Sequence, residues 1–401
     1  MYALLSCRKR YESEKKMYVT RPLSMYKRNP GALSEPPPAG PNSGYLVIFD
    51  EEAQTYSCFG LCKDSNIRDL PFPQDKNLTI NYGSDDEEAL FVPVLNQPLS
   101  SNRYYVIRRR GKHQGKASTS SKEENMGTCL CCSFVHDVKP RPLDPSDVYQ
   151  QVEIMKKNYG FHAKSVASDG IPSGLLRYKG WTVYTRTPSN YHLREALGAN
   201  DSLRAKLPGV NFPLSNDRSE SVVVGKWYCP FMFVKEGIRL KEQMKKSVFY
   251  ELTLEQRWEK IFSKENNEHS GENHDVFVDV VVQTEVAKVE GREAVWDEHG
   301  VDDEKVVWFR SFGDGASERS VGLSLEIVDG MKWEQERVGW VSGNERQMRV
   351  ERVEKFEGVM NKWVKFGCYV LVESFVLKAM DSRMVLTYEF RHKHQIRCKW
   401  E

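Results

Sequence analysis

The second half of the chain contains long segments in which apolar and polar residues alternate strictly. In the segment 276–289, Val276, Val278, Val280 and Val282 share one parity. Successive side chains of a β-strand point to opposite faces, whereas a helix places apolar residues three and four positions apart. Alternation over this length is typical of antiparallel strands with one buried and one solvated face. It predicts a β-rich second half, either sandwich or barrel-like.

The C-terminal segment YEFRHKHQIRCKWE (388–401) continues this alternation and contains two histidines one residue apart. His392 and His394 share the parity of Tyr388 and Phe390, which predicts that both rings are buried in a β-core. Histidines at positions i and i+2 of a strand point the same way and suit zinc or copper. A metal site needs further ligands, however, and the spacing identifies none. Structural burial is therefore the favoured interpretation, and a metal-binding or catalytic pair is the alternative.

Cysteines gather in the segment TCLCCSF and a histidine follows closely; the group consists of Cys129, Cys131, Cys132 and His136. Zinc fingers normally contain two pairs of ligands, each pair separated by two to four residues, and the spacing here differs. Adjacent cysteines also face opposite sides of a strand, so that only part of the group can converge. A cysteine-containing strand is the favoured interpretation, a metal site is the alternative, and no cofactor is predicted.

One polar loop is strongly basic. Its charged residues are Arg108, Arg109, Arg110, Lys112 and Lys116. Such a run could bind phosphate or act as a nuclear import signal, but most such runs are solvated loops, and no aromatic residues at a readable spacing support nucleic-acid binding. The whole chain has 58 basic and 56 acidic residues and a formal net charge of +2. This balance provides no general attraction for nucleic acid or acidic membranes.

Three features of the sequence bear on the compartment. No apolar run approaches the ~20 residues of a transmembrane helix. The N-terminal segment lacks the apolar stretch of a secretory signal. The nine cysteines are an odd number spread through a long chain, which is typical of free thiols in a reducing compartment. We therefore expect a cytoplasmic protein that is not secreted, with the nucleus as the alternative.

Changes of composition along the chain predict three regions. Residues 1–16 form an extension that we expect to be disordered. Residues 17–218 form a mixed region of helices and strands, with proline-rich and serine- and lysine-rich loops. Residues 219–401 form the β-rich region. Within it, Tyr-Glu-apolar triplets begin at Tyr250 and Tyr388, each at a similar distance after a cysteine, which predicts a weak internal duplication.

Two helices are expected in the mixed region. Asp144 and Asp147 are residues that commonly begin a helix, and apolar residues follow at helical spacing up to Tyr159. A shorter helix is expected within 191–207. In the β-rich region the alternating segment 321–333 predicts a strand. The predicted fold class is therefore α+β, with a mixed N-terminal half and an antiparallel β-rich C-terminal half.

Sequence motifs that carry catalysis are absent. The chain has no Gly-x-x-x-x-Gly-Lys-Ser/Thr, no dinucleotide-binding glycine pattern after a strand, no Gly-x-Ser-x-Gly and no His-Glu-x-x-His. Carboxylates such as Glu285 and Glu326 have a parity opposite to the apolar face, which predicts that they lie in solvent. The sequence therefore favours a protein that is not an enzyme.

Several long strings of the chain resemble a single family. They are MYVTRPLSMYKRNP (17–30), GYLVIFDEEAQ (44–54), QPLSSNRYYVIRRRGKHQGKAST (97–119), TCLCCSFVHDVKPRPLDPSD (128–147), GKWYCPFMFVKEG (225–237), FYELTLEQRWE (249–259) and FRHKHQIRCKWE (390–401). Together they resemble a plant-specific family catalogued as domain of unknown function 1262, and the resemblance extends from Met17 to Glu401. It implies a plant source and a soluble intracellular protein. The family brings no established activity, cofactor or catalytic residue, although some members are labelled as insecticidal toxin domains.

Three hypotheses of function follow. A non-enzymatic protein that binds an unknown protein or small molecule is favoured. The first alternative is a membrane-active β-protein, because long amphipathic strands such as 276–289 could insert as hairpins, as in pore-forming toxins. The second alternative is a metal-dependent enzyme that uses His392 and His394.

Overall fold

The computed structural model describes residues 17–37, 43–57, 62–129, 132–186, 191–266, 275–297, 305–313, 316–340, 346–357 and 363–401. Within these residues the secondary structure is mainly β-strand with few helices. The segment 1–16, for which a disordered extension is predicted, lies outside the described residues. None of the described helices combines the length and the apolar character that crossing a bilayer requires.

The strands of the first part of the chain are β1 (Met17–Pro22), β2 (Ser43–Ile48), β3 (Tyr56–Ser57), β4 (Cys62–Lys63), β5 (Asn66–Ile67), β6 (Asn77–Tyr82), β7 (Asp85–Pro93), β8 (Arg103–Arg108), β9 (Ser121–Lys122), β10 (Met126–Cys129), β11 (Cys132–Val135), β12 (Gln151–Lys157), β13 (Gly160–Ser165), β14 (Gly170–Ile171) and β15 (Thr182–Arg186). The strands that follow are β16 (Gly198–Ala199), β17 (Val222–Pro230), β18 (Val234–Lys235), β19 (Phe249–Glu265), β20 (Asp275–Gln283), β21 (Glu285–Val289), β22 (Arg292–Trp296), β23 (Val306–Gly313), β24 (Ala316–Ser324), β25 (Gln347–Lys355), β26 (Lys365–Ala379) and β27 (Met384–Trp400). The α-helices are α1 (Leu23–Arg28), α2 (Asp201–Lys206), α3 (Leu240–Lys246) and α4 (Leu325–Glu336). Of the helix expected within 191–207, α2 is the part that forms.

The chain folds into two compact units, and each unit is built from two separate stretches of the sequence. The first unit consists of Met1–Leu197 and Trp227–Tyr250, and the second consists of Gly198–Lys226 and Glu251–Glu401. This division follows contacts in space. It does not test the three regions expected from composition, which remain a prediction.

A seven-stranded antiparallel sheet forms the core of the first unit. Its strand order is β13-β12-β8-β7-β6-β15-β5. The inward side chains form one buried cluster, in which Phe72 lies centrally among aromatic rings. The ring centre of Phe72 is 4.8 Å from that of Phe91 and 5.0 Å from that of Phe161. Burial of these large rings is a major source of stability for the unit.

A long antiparallel hairpin dominates the second unit. Its strands β26 and β27 have 15 and 17 residues, so that the hairpin is roughly 50 Å long. One face packs in an apolar cluster that includes Val276 and Val370, and the other packs in a cluster that includes Leu214 and Leu371. The prediction of a solvated face is therefore wrong for this hairpin, because a layer of side chains covers each side.

Strands β20 and β25 form a separate two-stranded antiparallel sheet, which we call the strand pair. Most of its inner face is apolar, with Val276 and Val278 fully buried against the long hairpin, and β25 contributes the charged Arg352 and Glu354 at one end. Its outer face is solvated, and Phe277 and Val353, which lie opposite each other, are 53% and 57% exposed. The strand pair thus has the amphipathic character that the alternation predicts.

The helix predicted between Asp144 and Tyr159 is wrong. A side-chain oxygen of Asp147 does accept a hydrogen bond from the backbone N–H of Tyr149 at 3.0 Å, but the turn that follows is a 3₁₀ helix of 3 residues. The chain then enters β12, which pairs with β8 on one side and β13 on the other. Val152 is buried there as a strand residue. Pairing along both edges outweighs the helical spacing of the apolar residues.

The strand predicted for 321–333 is correct only in part. β24 ends at Ser324, and α4 begins at the next residue. The apolar alternation continues past this point, but Ile327 and Met331 also have the spacing of a helical face. Both are buried in α4. A short apolar run of this kind fits both the period of a strand and the period of a helix, and in this protein the packing of these residues stabilises the helix.

Candidate functional site

The two C-terminal histidines occupy different environments. His392 is 1% exposed, and its Nε2 atom lies 2.9 Å from Oε1 of Gln335 and 3.6 Å from Oε2 of Glu373. His394 is exposed, so the prediction that both rings are buried is wrong for this residue. The ring centres are 5.5 Å apart in an edge-to-face arrangement.

A bulge in β27 separates the two histidines. Val370 pairs with Ile396, whereas the next residue, Leu371, pairs with His392. Residues 393–395 are therefore left out of the ladder. A bulge of this kind changes the direction of the side chains that follow it, which is why the alternation does not carry both histidines to the same face.

Glu373 is the centre of a buried ionic cluster, which also contains Arg204, Gln256, Glu334 and His392. Arg204 Nε donates to Glu373 Oε1 at 2.8 Å, and Nη2 of the same guanidinium donates to Oε2. Gln256 Nε2 donates to Glu373 Oε1, also at 2.8 Å. Burial by itself raises the pKa of Glu373, but Arg204, together with the nearby His392, outweighs burial and holds the pKa well below its usual value.

The buried ionic cluster joins α2, α4, β19, β26 and β27 of the second unit. A buried carboxylate without a partner would cost several kcal/mol of stability, so each of its hydrogen bonds matters. A carboxylate with so low a pKa is also a weak proton acceptor. The cluster is therefore suited to holding these elements together and not to acid–base catalysis.

A second group of buried charges lies on the opposite parity of the hairpin. Arg257 Nη2 lies 2.9 Å from Glu389 Oε1, and Arg391 Nη2 lies 2.6 Å from Glu259 Oε1. Burial raises the pKa of Glu259, but Arg391 and Arg257 outweigh it and lower the pKa overall. Glu389 and Arg391 have the parity for which solvent exposure is predicted. Both are buried because the hairpin is covered on each face.

The prediction that Glu285 and Glu326 lie in solvent is also wrong. Their exposed fractions are 9% and 7%. Glu285 accepts a hydrogen bond from the hydroxyl of Tyr388, which compensates its burial. Glu326 lies in the first turn of α4, so the parity of a strand does not apply to it.

The cysteine group lies in the hairpin of β10 and β11. Cys129 and Cys132 are direct backbone partners there, and Cys131 lies outside the described residues. His136 is exposed, and its ring contacts that of Phe134 with centres 4.8 Å apart. In the part of the chain that the structure describes, no group of 3 or more His, Cys, Asp or Glu side chains is placed to hold a metal ion. The metal hypothesis for this group and for the histidine pair stays a prediction.

Three arginines of the basic loop contact the first unit itself. Arg108 pairs with Glu87, and Arg110 Nε lies 2.8 Å from Glu88 Oε2. The guanidinium of Arg109 lies 5.5 Å from the centre of a tyrosine ring. These contacts neutralise part of the positive charge, so the loop is less available to an anionic partner than its sequence indicates.

The first unit contains a concave site of about 370 Å³, which we call the apolar cleft. Its walls come from α1, the turn that follows α1, and β5. The apolar residues that line it include Leu23, Tyr26, Leu33, Phe49, Ile67 and Leu70. The charged residues that line it are Lys27, Arg68 and Asp69, and Asp69 forms an ion pair with Lys156. This size and composition are typical of sites for small ligands.

The second unit contains a more polar concave site of about 300 Å³, which we call the polar cleft. It lies where the strand pair meets β21, β22 and β23. The residues that line it include Gln283, Glu293, Trp296, Arg310, Phe312 and Arg346. Neither cleft is identifiable from the sequence, because the residues that line each one are widely separated along the chain and match no motif.

Comparisons with known proteins find a matching family model and distantly similar solved structures. The model of a family described as a protein of unknown function (DUF1262) matches residues 39–133, which is less than half of the chain. A solved structure described as the crystal structure of Cry35Ab1 is similar with 8% sequence identity and a TM-score of 0.39, over 84% of this chain and 86% of that chain. No curated protein matches. Residues 39–133 are thus similar to a family whose description assigns no activity.

Proposed function

We propose that this chain is a non-enzymatic binding protein and that its apolar cleft holds a small molecule with an apolar body and an acidic group. The observation that carries the proposal is the lining of the cleft, in which apolar walls are combined with Lys27 and Arg68, while the lining carboxylate Asp69 is paired with Lys156. Apolar walls supply affinity through the area that they remove from water, and a few charged groups supply orientation and selectivity.

Both cations are placed so that an incoming carboxylate can engage them. Lys27 is exposed, and its Nζ donates only to the backbone oxygen of Ala53, at 2.9 Å, among the described residues. The side chain of Arg68 is 70% exposed and lies 2.8 Å from Asp64. Only the guanidinium of this pair is exposed, since the Asp64 side chain is 7% exposed. Solvent around the guanidinium weakens the pair, which contributes on the order of 1 kcal/mol. A ligand carboxylate that is partly shielded from water can therefore compete for Arg68.

We further propose that the protein is cytoplasmic and of plant origin. Cys229, Cys368 and Cys398 are thiols without a disulfide in the described part of the chain. Cys368 and Cys398 lie directly opposite each other in the long hairpin. Facing thiols that stay reduced are typical of a reducing compartment and support this location. The plant origin rests on the resemblance to the plant family.

Decanoate should bind the purified chain about tenfold more tightly than decan-1-ol, because only the acid has a charge for the cations of the cleft. Isothermal titration calorimetry measures both affinities. The double variant Lys27→Gln/Arg68→Gln should bind the two ligands equally. A matched control is Arg110→Gln, which removes an arginine of the same unit that is 72% exposed and lies outside this cleft. It should keep the preference.

Two outcomes would contradict the proposal. One is the absence of saturable binding by either ligand. The other is equal affinity of the unmodified protein for both ligands, because the cations would then play no part. Thermal unfolding of each variant shows whether the substitutions leave the first unit folded.

A membrane-active protein is a second candidate, and the strand pair is the observation that favours it. Each strand has 9 residues, and a transmembrane β-strand needs about 9–11. The inner face carries Val276, Val278 and Val280 on one strand and Val350 on the other, followed by the charged Arg352. If the strand pair separated from the long hairpin, this apolar face could enter a lipid bilayer.

Release of carboxyfluorescein from vesicles of phosphatidylcholine and phosphatidylserine tests this candidate. We expect the intact protein to release the dye. Val280→Asp should abolish release, because it places a charge on the face that would meet lipid. Val281→Asp, on the adjacent outer face, is the matched control and should have little effect. No release by the intact protein at any lipid ratio would refute membrane activity.

A further inference from the structure

The polar cleft contains two neighbouring amide side chains. Gln283 ends β20 and Gln347 begins β25, and the two residues are direct partners in the strand pair. Both are exposed, and within the described residues neither side chain forms a hydrogen bond. Each amide offers donors and an acceptor on the same group. Together they can bind several hydroxyl groups of one ligand.

The charges that line the polar cleft cancel. Glu285 and Glu293 are balanced by Arg310 and Arg346. Glu293 is exposed and has no ion pair within the described residues, so its carboxylate can accept hydrogen bonds from a ligand. Because the site has no net charge, it gives no general advantage to an anion or a cation. A neutral polar molecule is the ligand that this lining favours.

An aromatic ring completes the cleft. Phe312 is 66% exposed, although phenylalanine is normally buried. Beside it in the same lining, the guanidinium of Arg346 lies 4.3 Å from the ring centre of Trp296, and its Nη2 donates to the backbone oxygen of that residue at 3.2 Å. The stacked pair forms part of the wall, and the exposed ring of Phe312 offers an apolar surface to the ligand.

We infer that the polar cleft binds a neutral carbohydrate of one or two sugar rings. A sugar has hydroxyl groups for the amides and the carboxylate, and it has a face of C–H groups that packs on an aromatic ring. A volume of about 300 Å³ accommodates a ligand of this size. This site lies in the second unit, so the inference does not depend on the apolar cleft.

Titration calorimetry with glucose, galactose, mannose, N-acetylglucosamine and N-acetylgalactosamine tests the inference on the full chain. At least one sugar should bind saturably, with a Kd on the order of 1 mM or below. Phe312→Ala should weaken its binding about fivefold or more, because the stacking surface is lost. Gln283→Ala/Gln347→Ala should weaken it at least as strongly. Phe277→Ala removes a phenylalanine that is 53% exposed on the outer face of the strand pair and is the matched control, with binding unchanged.

Three results would overturn the inference. The first is that none of the five sugars binds saturably. The second is that Phe277→Ala weakens binding as much as Phe312→Ala, which would place the site elsewhere. The third is that galacturonate or glucosamine binds more tightly than every neutral sugar, since the cleft would then select for charge. Equal unfolding temperatures of the variants show that loss of binding is not loss of folding.

Discussion

Replacement of Glu373 by glutamine should lower the free energy of unfolding by about 3–5 kcal/mol. The Arg204 side chain, which is 3% exposed, would lose its closest charged partner and keep only Glu334, at 3.5 Å. Gln256 would also lose an ionised hydrogen-bond acceptor, and His392 would lose a carboxylate that lies 3.6 Å away. Denaturant unfolding of the wild-type and Glu373→Gln proteins, followed by tryptophan fluorescence, measures the difference.

The matched control for this prediction is Glu265→Gln in the same unit. Glu265 lies 3.0 Å from Lys365, but its side chain is 68% exposed. An exposed pair of this kind contributes at most about 1 kcal/mol. If Glu373→Gln costs no more than Glu265→Gln, the buried ionic cluster is not a major source of stability.

The dependence of stability on pH provides a second readout for Glu373. Its pKa in the folded protein is below the ordinary value of 4.5, so the fold favours the ionised form. Its contribution is therefore fully present above pH 4.5 and is lost as the pH falls from there toward the folded-state pKa. The wild-type protein should lose stability in this acidic range more steeply than Glu373→Gln. Parallel curves would contradict the assignment.

Replacement of Phe72 by alanine should destabilise the first unit by about 3–5 kcal/mol. Phe72 is fully buried and contacts several aromatic rings, so that its removal leaves a cavity that these rings cannot easily fill. Denaturant unfolding measures the effect. Tyr159→Ala is the control, because Tyr159 is 89% exposed, and it should change stability by less than about 0.5 kcal/mol. A loss below about 1 kcal/mol for Phe72→Ala would contradict the central role of this ring.

Strands with long alternation could be predicted well from the sequence. The strand pair is the clearest case, since Val276 and Val278 are buried and Phe277 is exposed as the parity indicates. The period of two is a local property of the extended backbone, and it needs no knowledge of the rest of the chain. Shorter or mixed patterns were less informative. The position of Val152 is compatible with a helical face and with a strand face. It lies in a strand because β12 pairs with β8 and β13.

The environment of the histidines could be predicted only in part. Alternation correctly places His392 among buried residues, but it assumes an unbroken ladder. The bulge after His392 ends that ladder and leaves His394 exposed. Bulges depend on how two strands fit together, so that one strand read alone does not reveal them.

The sequence by itself determined that the second half is mainly β-structure and which residues of each long strand share a face, because side-chain direction along a strand is local. Only the tertiary structure decided what covers each face. Both faces of the long hairpin are packed, which buries Glu373 and Glu389 and requires cationic partners for them. Arg204 lies 169 positions before Glu373 in the chain. The physical reason is that a charge in the interior is tolerated only with its partner, and folding alone brings such distant partners together.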